Sequence, residues 1–214
     1  MKKLTLAVTL ALATFASAQA AGINGLVNTG TGGSGTQDLN YELTVLQGTT
    51  VLASNHGYAA FDNIWPISPW LANSADSKWI TPTAAQGDSF DSSSNGLYRF
   101  QLKFDLTGFN AASASFAGRF AADNAASITL NGTQIANATG FSSWSSFGAA
   151  SGFNAGVNTL NFDVLNWQQS GGNPAGLRVE FTQSNIAAVP EPETYGMLLA
   201  GLGLLGFVAR RRKA

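Results

Sequence analysis

The chain has 214 residues, of which 11 % are charged, with 24 glycines, one histidine and no cysteine, against roughly 25 % charge in an average soluble protein. The missing cysteines exclude a disulfide scaffold, thiol catalysis and Cys-ligated metal, and the lone His56 excludes two-histidine metal motifs. Residues 21–189 carry five basic and ten acidic side chains, net −5; with no basic stripe to neutralise phosphates, nucleic acid is a poor partner.

Lys2 and Lys3 precede an apolar run over residues 4–16, and small residues follow at Ala18 and Ala20. This is the layout of a secretory signal peptide over residues 1–20, cut by signal peptidase after Ala20 or, as second choice, after Ala18. The apolar run is shorter than the ~20 residues that a membrane span needs.

Residues 21–183 are one domain's worth of chain, with a flexible glycine-rich stretch at 30–35. A weak strand is predicted over 40–46. His56, beside Gly57, reads as a turn residue or a satisfied polar group rather than a catalytic base, because no G-x-S-x-G elbow exposes a nucleophile. Trp65, Trp70 and Trp79 occupy a proline-containing stretch read as irregular backbone that caps the end of the core. Over residues 97–106, apolar Tyr98, Phe100, Leu102, Phe104 and Leu106 alternate with Arg99, Gln101, Lys103 and Asp105, the period of a strand with one buried face. A second weak strand is predicted at 114–120. Asp123 and Asn124 after it read as an Asx turn, with cation coordination as the weaker alternative.

Residues 127–130 and 133–136 flank Asn131 and Gly132, which supply the positive φ of a type I′ hairpin. Trp144 and Trp167 sit among small polar residues in predicted loops, Trp167 next to Gln168 and Gln169. Alternation returns at 160–164 and at 177–181. No segment of the body has a 3.6-residue period, so the fold class is all-β, a single β-sandwich or jelly roll. The ten acids of the body are scattered, which argues against a glycosidase pair, and no enzymatic activity is expected.

Residues 184–189 read as a linker to a C-terminal segment at 190–214. Val189, Pro190, Glu191 and Pro192 are followed by an uncharged, mostly apolar helix at about 194–209 and by Arg210, Arg211, Arg212 and Lys213. Sixteen residues reach about 24 Å as a helix, a marginal transmembrane span whose basic tail stays cytoplasmic. The two prolines keep the motif extended and accessible.

The ordered motif, short helix and basic cluster resemble the PEP-CTERM sorting signal. That resemblance implies recognition by an exosortase of certain Gram-negative bacteria, cleavage near Pro190, Glu191 and Pro192, and transfer from a transient membrane anchor to the cell surface or its exopolysaccharide matrix. Residues 76–183, with "GRFAADNAASITLNGTQI", "NAGVNTLNFDVLNW" and "NPAGLRVEF", are similar to galactose-binding-like jelly rolls. Members of that group often carry a structural Ca²⁺, for which Asp123 and Asn124 are the weak candidates; no cofactor is otherwise expected.

Sugars stack their apolar C–H faces on aromatic rings while amides and hydroxyls bind their oxygens. Trp144, Trp167 and Gln168 are therefore the candidate glycan-binding residues, with core capping as the competing role for the tryptophans. The expected function is a non-catalytic glycan- or matrix-binding module. A purely structural surface protein is the alternative, and a secreted hydrolase comes third.

Overall fold

The computed structural model describes residues 21–189 and 192–211. Ala18, Ala20, Pro190, Glu191, Arg212 and Lys213 lie outside the described residues.

Eight strands follow in chain order: β1 (Gln37–Gln47), β2 (His56–Ala59), β3 (Ile80–Thr81), β4 (Gly96–Asp105), β5 (Phe109–Leu130), β6 (Thr133–Ala149), β7 (Val157–Asn166) and β8 (Gly176–Ala188). A helix, α1 (Pro192–Arg211), ends the described chain. The neighbour order is β6-β5-β7-β4-β1-β2-β3-β8, and β8 also pairs with β5, so the sheet closes into a flattened all-β sandwich of jelly-roll type.

The closure depends on β5. Its first part pairs with β8 from Phe109↔Ala188 to Asp123↔Gly176, and its last part pairs with β7 from Ala125↔Leu165 to Leu130↔Leu160. One 22-residue strand thus runs out of one sheet and into the other. The expected strand at 114–120 is a piece of it. Asp123 and Asn124 are not in a turn but inside the strand, at the crossing point, joined by a cis peptide. Alanine-rich sequence lets both sheets approach here: Ala121, Ala122 and Ala126 are buried.

The alternating runs form as their periodicity requires. Tyr98, Phe100, Leu102 and Phe104 of β4 point into the core with Leu160, Phe162 and Val164 of β7, in a ten-residue antiparallel register from Gly96↔Asn166 to Asp105↔Val157. Arg99 pairs with Asp163 on the outer side at 2.7 Å. Phe147 of β6 anchors the centre, its ring 5.5–6.0 Å from those of Phe116, Phe120, Phe162 and Phe181, one strand each from the surrounding sheet and two from β5. Edge-to-face pairs of this kind add about 0.5–1.5 kcal/mol each beyond area burial. Asn131 and Gly132 both have positive φ, 50° and 86°, at the β5–β6 hairpin.

Two boundaries differ from the sequence reading. Trp144 lies within β6 rather than in a loop. Residues 184–188 are not a linker: β8 continues through them, Ala187 and Ala188 pairing with Asn110 and Phe109 while Ile186 bridges Ala21. Backbone pairing, which alternation does not report when side chains are small and polar, holds this stretch. His56 is in a strand rather than a turn and is the satisfied polar group of the other expectation, its Nδ1 3.1 Å from the Tyr41 carbonyl.

Helix α1 covers the expected 194–209 and two residues more at each end, with Arg210 and Arg211 in its last turn. Among the described residues no helix is long and apolar enough to cross a membrane. The apolar stretch is diluted by Gly201, Gly203 and Gly206 and bounded by Glu193 and the arginines.

Candidate functional site

The polar features gather where β4 begins, β7 ends and β5 changes sheets. Asp91, at φ 58°, turns its carboxylate under Gly96, where a Cβ would come within 2.2–2.5 Å of it. Its Oδ2 accepts from the Tyr98 hydroxyl at 2.7 Å and from Asn166 Nδ2 at 2.8 Å. Burial pushes the Tyr98 phenol well above its ordinary range, so it stays a hydroxyl next to this carboxylate.

Asp123 accepts from Trp70 Nε1 at 2.9 Å through Oδ2, while its buried Oδ1 has no protein partner. Burial raises its pKa to about 6, against the Trp70 hydrogen bond that pulls it down. Asn124 Oδ1 accepts from the Trp167 backbone N–H at 2.7 Å. This pair therefore keeps one uncommitted side-chain oxygen, and the buried Oδ1 atoms of Asp91 and Asn166 are likewise without a protein partner. Among the described residues no three His, Asp or Glu side chains gather as a metal site. The visible role of Asp123 and Asn124 is to hold the Trp70 indole and the Trp167 backbone.

Trp167 carries an open ring on a fixed backbone. Its N–H is held by Asn124, its carbonyl accepts from Asn173 Nδ2 at 2.9 Å, and its side chain stays 49 % exposed. The same Asn173 Nδ2 also donates to the Phe90 carbonyl at 2.8 Å. Gln168 is tied down in parallel: its N–H donates to Asn95 Oδ1 at 2.8 Å and its Nε2 to the Ser92 carbonyl at 3.3 Å. The loop after β7 is thus stitched to the loop before β4, and Trp167 and Gln168 are adjacent on the surface. Asn173 is the residue that sequence reasoning missed. Ahead of Pro174 it reads only as a turn residue.

Trp144 is placed elsewhere and does something else. Residues 60–79 fold over the outer face of β5 and β8, where Trp70, Trp79, Ile67, Ala60 and Ala121 make a second small core with Trp144 packed against it. The guanidinium carbons of Arg119 and Arg178 lie 4.6 and 4.7 Å from the Trp144 ring centroid. Arg178 is buried, its Nε donating to Ser77 Oγ at 2.7 Å, and it also donates to the Ala72 carbonyl. Glu180 accepts from Ser77 Oγ and from Arg119 Nε, both at 2.7 Å. Burial alone would raise the Glu180 pKa, but Ser77, Arg119 and Arg178 together bring it below the usual range. The Trp144 ring is thus engaged by cations rather than open for a sugar, and the structure does not bring it together with Trp167. Trp70 and Trp79 are buried, their centroids 4.2 Å apart, whereas Trp65 is 44 % exposed.

No curated protein matches the chain. Among solved structures it is similar to the PA14 sugar-binding domain from an RTX adhesin, with 17 % identity over 46 % of this chain and 56 % of that one and a TM-score of 0.27. It is similar to a family 35 carbohydrate-binding module from an environmental isolate, at 13 % identity over 70 % and 98 % of the two chains, TM-score 0.28. A family 11 carbohydrate-binding module from Clostridium thermocellum, in complex with a mixed-linked tetrasaccharide, shares 9 % identity over 77 % and 98 %, TM-score 0.33. Likenesses this remote do not bear on what the chain binds. Residues 188–213, by contrast, match the PEP-CTERM protein-sorting motif, which marks the chain for export and exosortase-mediated sorting to the cell surface.

Proposed function

We propose that this surface-sorted chain is a non-catalytic glycan-binding module of the exopolysaccharide matrix of a Gram-negative bacterium, anchored in the membrane by α1 until an exosortase cuts near Pro190, Glu191 and Pro192. One observation carries the glycan reading: Trp167 is half exposed while the peptide groups on both its sides are hydrogen-bonded, to Asn124 and to Asn173. A backbone held in this way loses little conformational freedom when a sugar stacks on the ring it carries. The Gln168 Oε1 beside it is free to accept from a hydroxyl, since only its Nε2 is engaged. Stacking on one indole is worth on the order of 1 kcal/mol, less than tenfold in affinity, so useful retention comes from many copies on one polymer.

The test is retention of the full chain, in detergent, on gels of the producer's exopolysaccharide. Trp167→Ala abolishes most of the retardation and leaves the thermal midpoint near that of wild type. A wild-type protein that no polysaccharide retards would instead make this a structural surface protein without a specific ligand.

A further inference from the structure

Among the described residues, closure of the sheet gives seven of the eight strands neighbours on both sides, and β6 alone pairs on one side, with β5. An open edge presents unpaired N–H and C=O groups, and proteins ordinarily blunt it with charge or proline. The 17 residues of β6 contain neither. They divide into two paired stretches, since four residues, Phe141 to Trp144, stand opposite the single Ala121. Leu71 N–H covers the edge only there, donating to the Phe141 carbonyl at 2.8 Å. The stretch from Thr133 to Gly140 is left uncovered among the described residues. Ile135, Ala136 and Ala138 on it pack against the core yet remain only partly buried, as side chains at the rim of an unfinished sheet.

We infer that this edge pairs with the same edge of a second copy of the chain, antiparallel about a two-fold axis centred on Asn137. The partner is self because the chemistry is self-complementary: backbone donors and acceptors meet their mirror set, and a shared apolar rim is covered from both sides. A two-fold there sets Asn137 against its own copy, Ala136 against Ala138 and Ile135 against Thr139, all uncharged pairs. Neither β6 nor residues 124–130 of β5 alongside it carries a charge, on a body of net charge −5 that otherwise repels its copies. Pairing would join two sandwiches through one continuous sheet and place two Trp167 platforms on one particle.

The full chain in detergent, followed by light scattering, is expected to be a dimer. Asn137→Lys, an exposed substitution that sets two ammonium groups opposite each other, loses the dimer while the circular dichroism stays that of wild type. In this cysteine-free chain, Asn137→Cys oxidises to a covalent dimer, and Val51→Cys, 90 % exposed and off the edge, does not. A wild-type monomer at all concentrations overturns the inference. So does a dimer that survives Asn137→Lys, which would assign association to α1, or equal cross-linking by the two cysteine variants. None of these outcomes depends on polysaccharide retention, so the glycan reading stands or falls separately.

Discussion

Asp123 sits at the one point where β5 belongs to both sheets, and its protonation registers in the stability of the whole fold. Its folded pKa of about 6 lies above the ~3.9 of an unfolded aspartate. The native chain therefore holds a proton between about pH 4 and 6 that the unfolded chain releases. The stabilisation is complete below about pH 4 and is lost as pH rises through 6. Two units correspond to about 2–3 kcal/mol. Asp123→Asn keeps an oxygen for Trp70 Nε1 and carries no charge, so its midpoint relative to wild type should climb between pH 4 and 7. A difference that stays flat with pH would show that the carboxyl is not perturbed. For Trp144 the expected outcome separates two roles. Trp144→Ala removes packing on the second core and the cation–π contacts with Arg119 and Arg178, worth about 2–4 kcal/mol together. Retention on polysaccharide, measured on the protein still folded, should not change.

At the level of elements, the chemistry of alternation explains what could be read in advance. β4 and β7 each bury one face under large apolar side chains and expose polar ones, so their sequences announced them to within a few residues. The β5–β6 hairpin was equally legible, because Asn131 and Gly132 have one common structural use. β3 has two residues and β2 four, too few to show a period. The second half of β6 alternates poorly because the irregular residues 60–79 cover part of its outer face. Nothing in the sequence pairs Trp70 with Asp123, or Trp144 with two arginines, 53 and about 25–34 positions away; such contacts depend on the crossing of β5. The closeness of that crossing is itself testable. A Cβ on Gly118 would lie 2.5 Å from Phe147 Cε1 and 2.6 Å from the Glu180 carbonyl oxygen, and the carbonyl is held in the sheet. Gly118→Ala should therefore cost about 1–3 kcal/mol, read as a lower denaturant midpoint. An unchanged midpoint would mean that β5 and β6 have room to spare.

For the molecule as a whole, the run of β8 to Ala188 sets where the sorting motif and the Trp167 loop stand. Ala21 and Ile186 exchange two backbone hydrogen bonds of 2.8 Å, so the described chain enters the sandwich and runs on to the sorting motif at one pole. Trp167 and Gln168 lie before the other end of the same strand, whose 13 residues span roughly 40 Å. On the proposed reading, the tethered molecule has a membrane pole and an outward pole, and its Trp167 ring can engage polymer before release. Replacing Pro190, Glu191 and Pro192 with alanine should hold the full-length protein in the membrane fraction. In that arrested form a Gln168→Cys thiol, the chain's sole cysteine, should react with a soluble maleimide as fast as in detergent. Slow labelling would place the platform against the bilayer; free labelling makes β8 a mast, built into the fold, that lifts the binding end clear of the lipid surface.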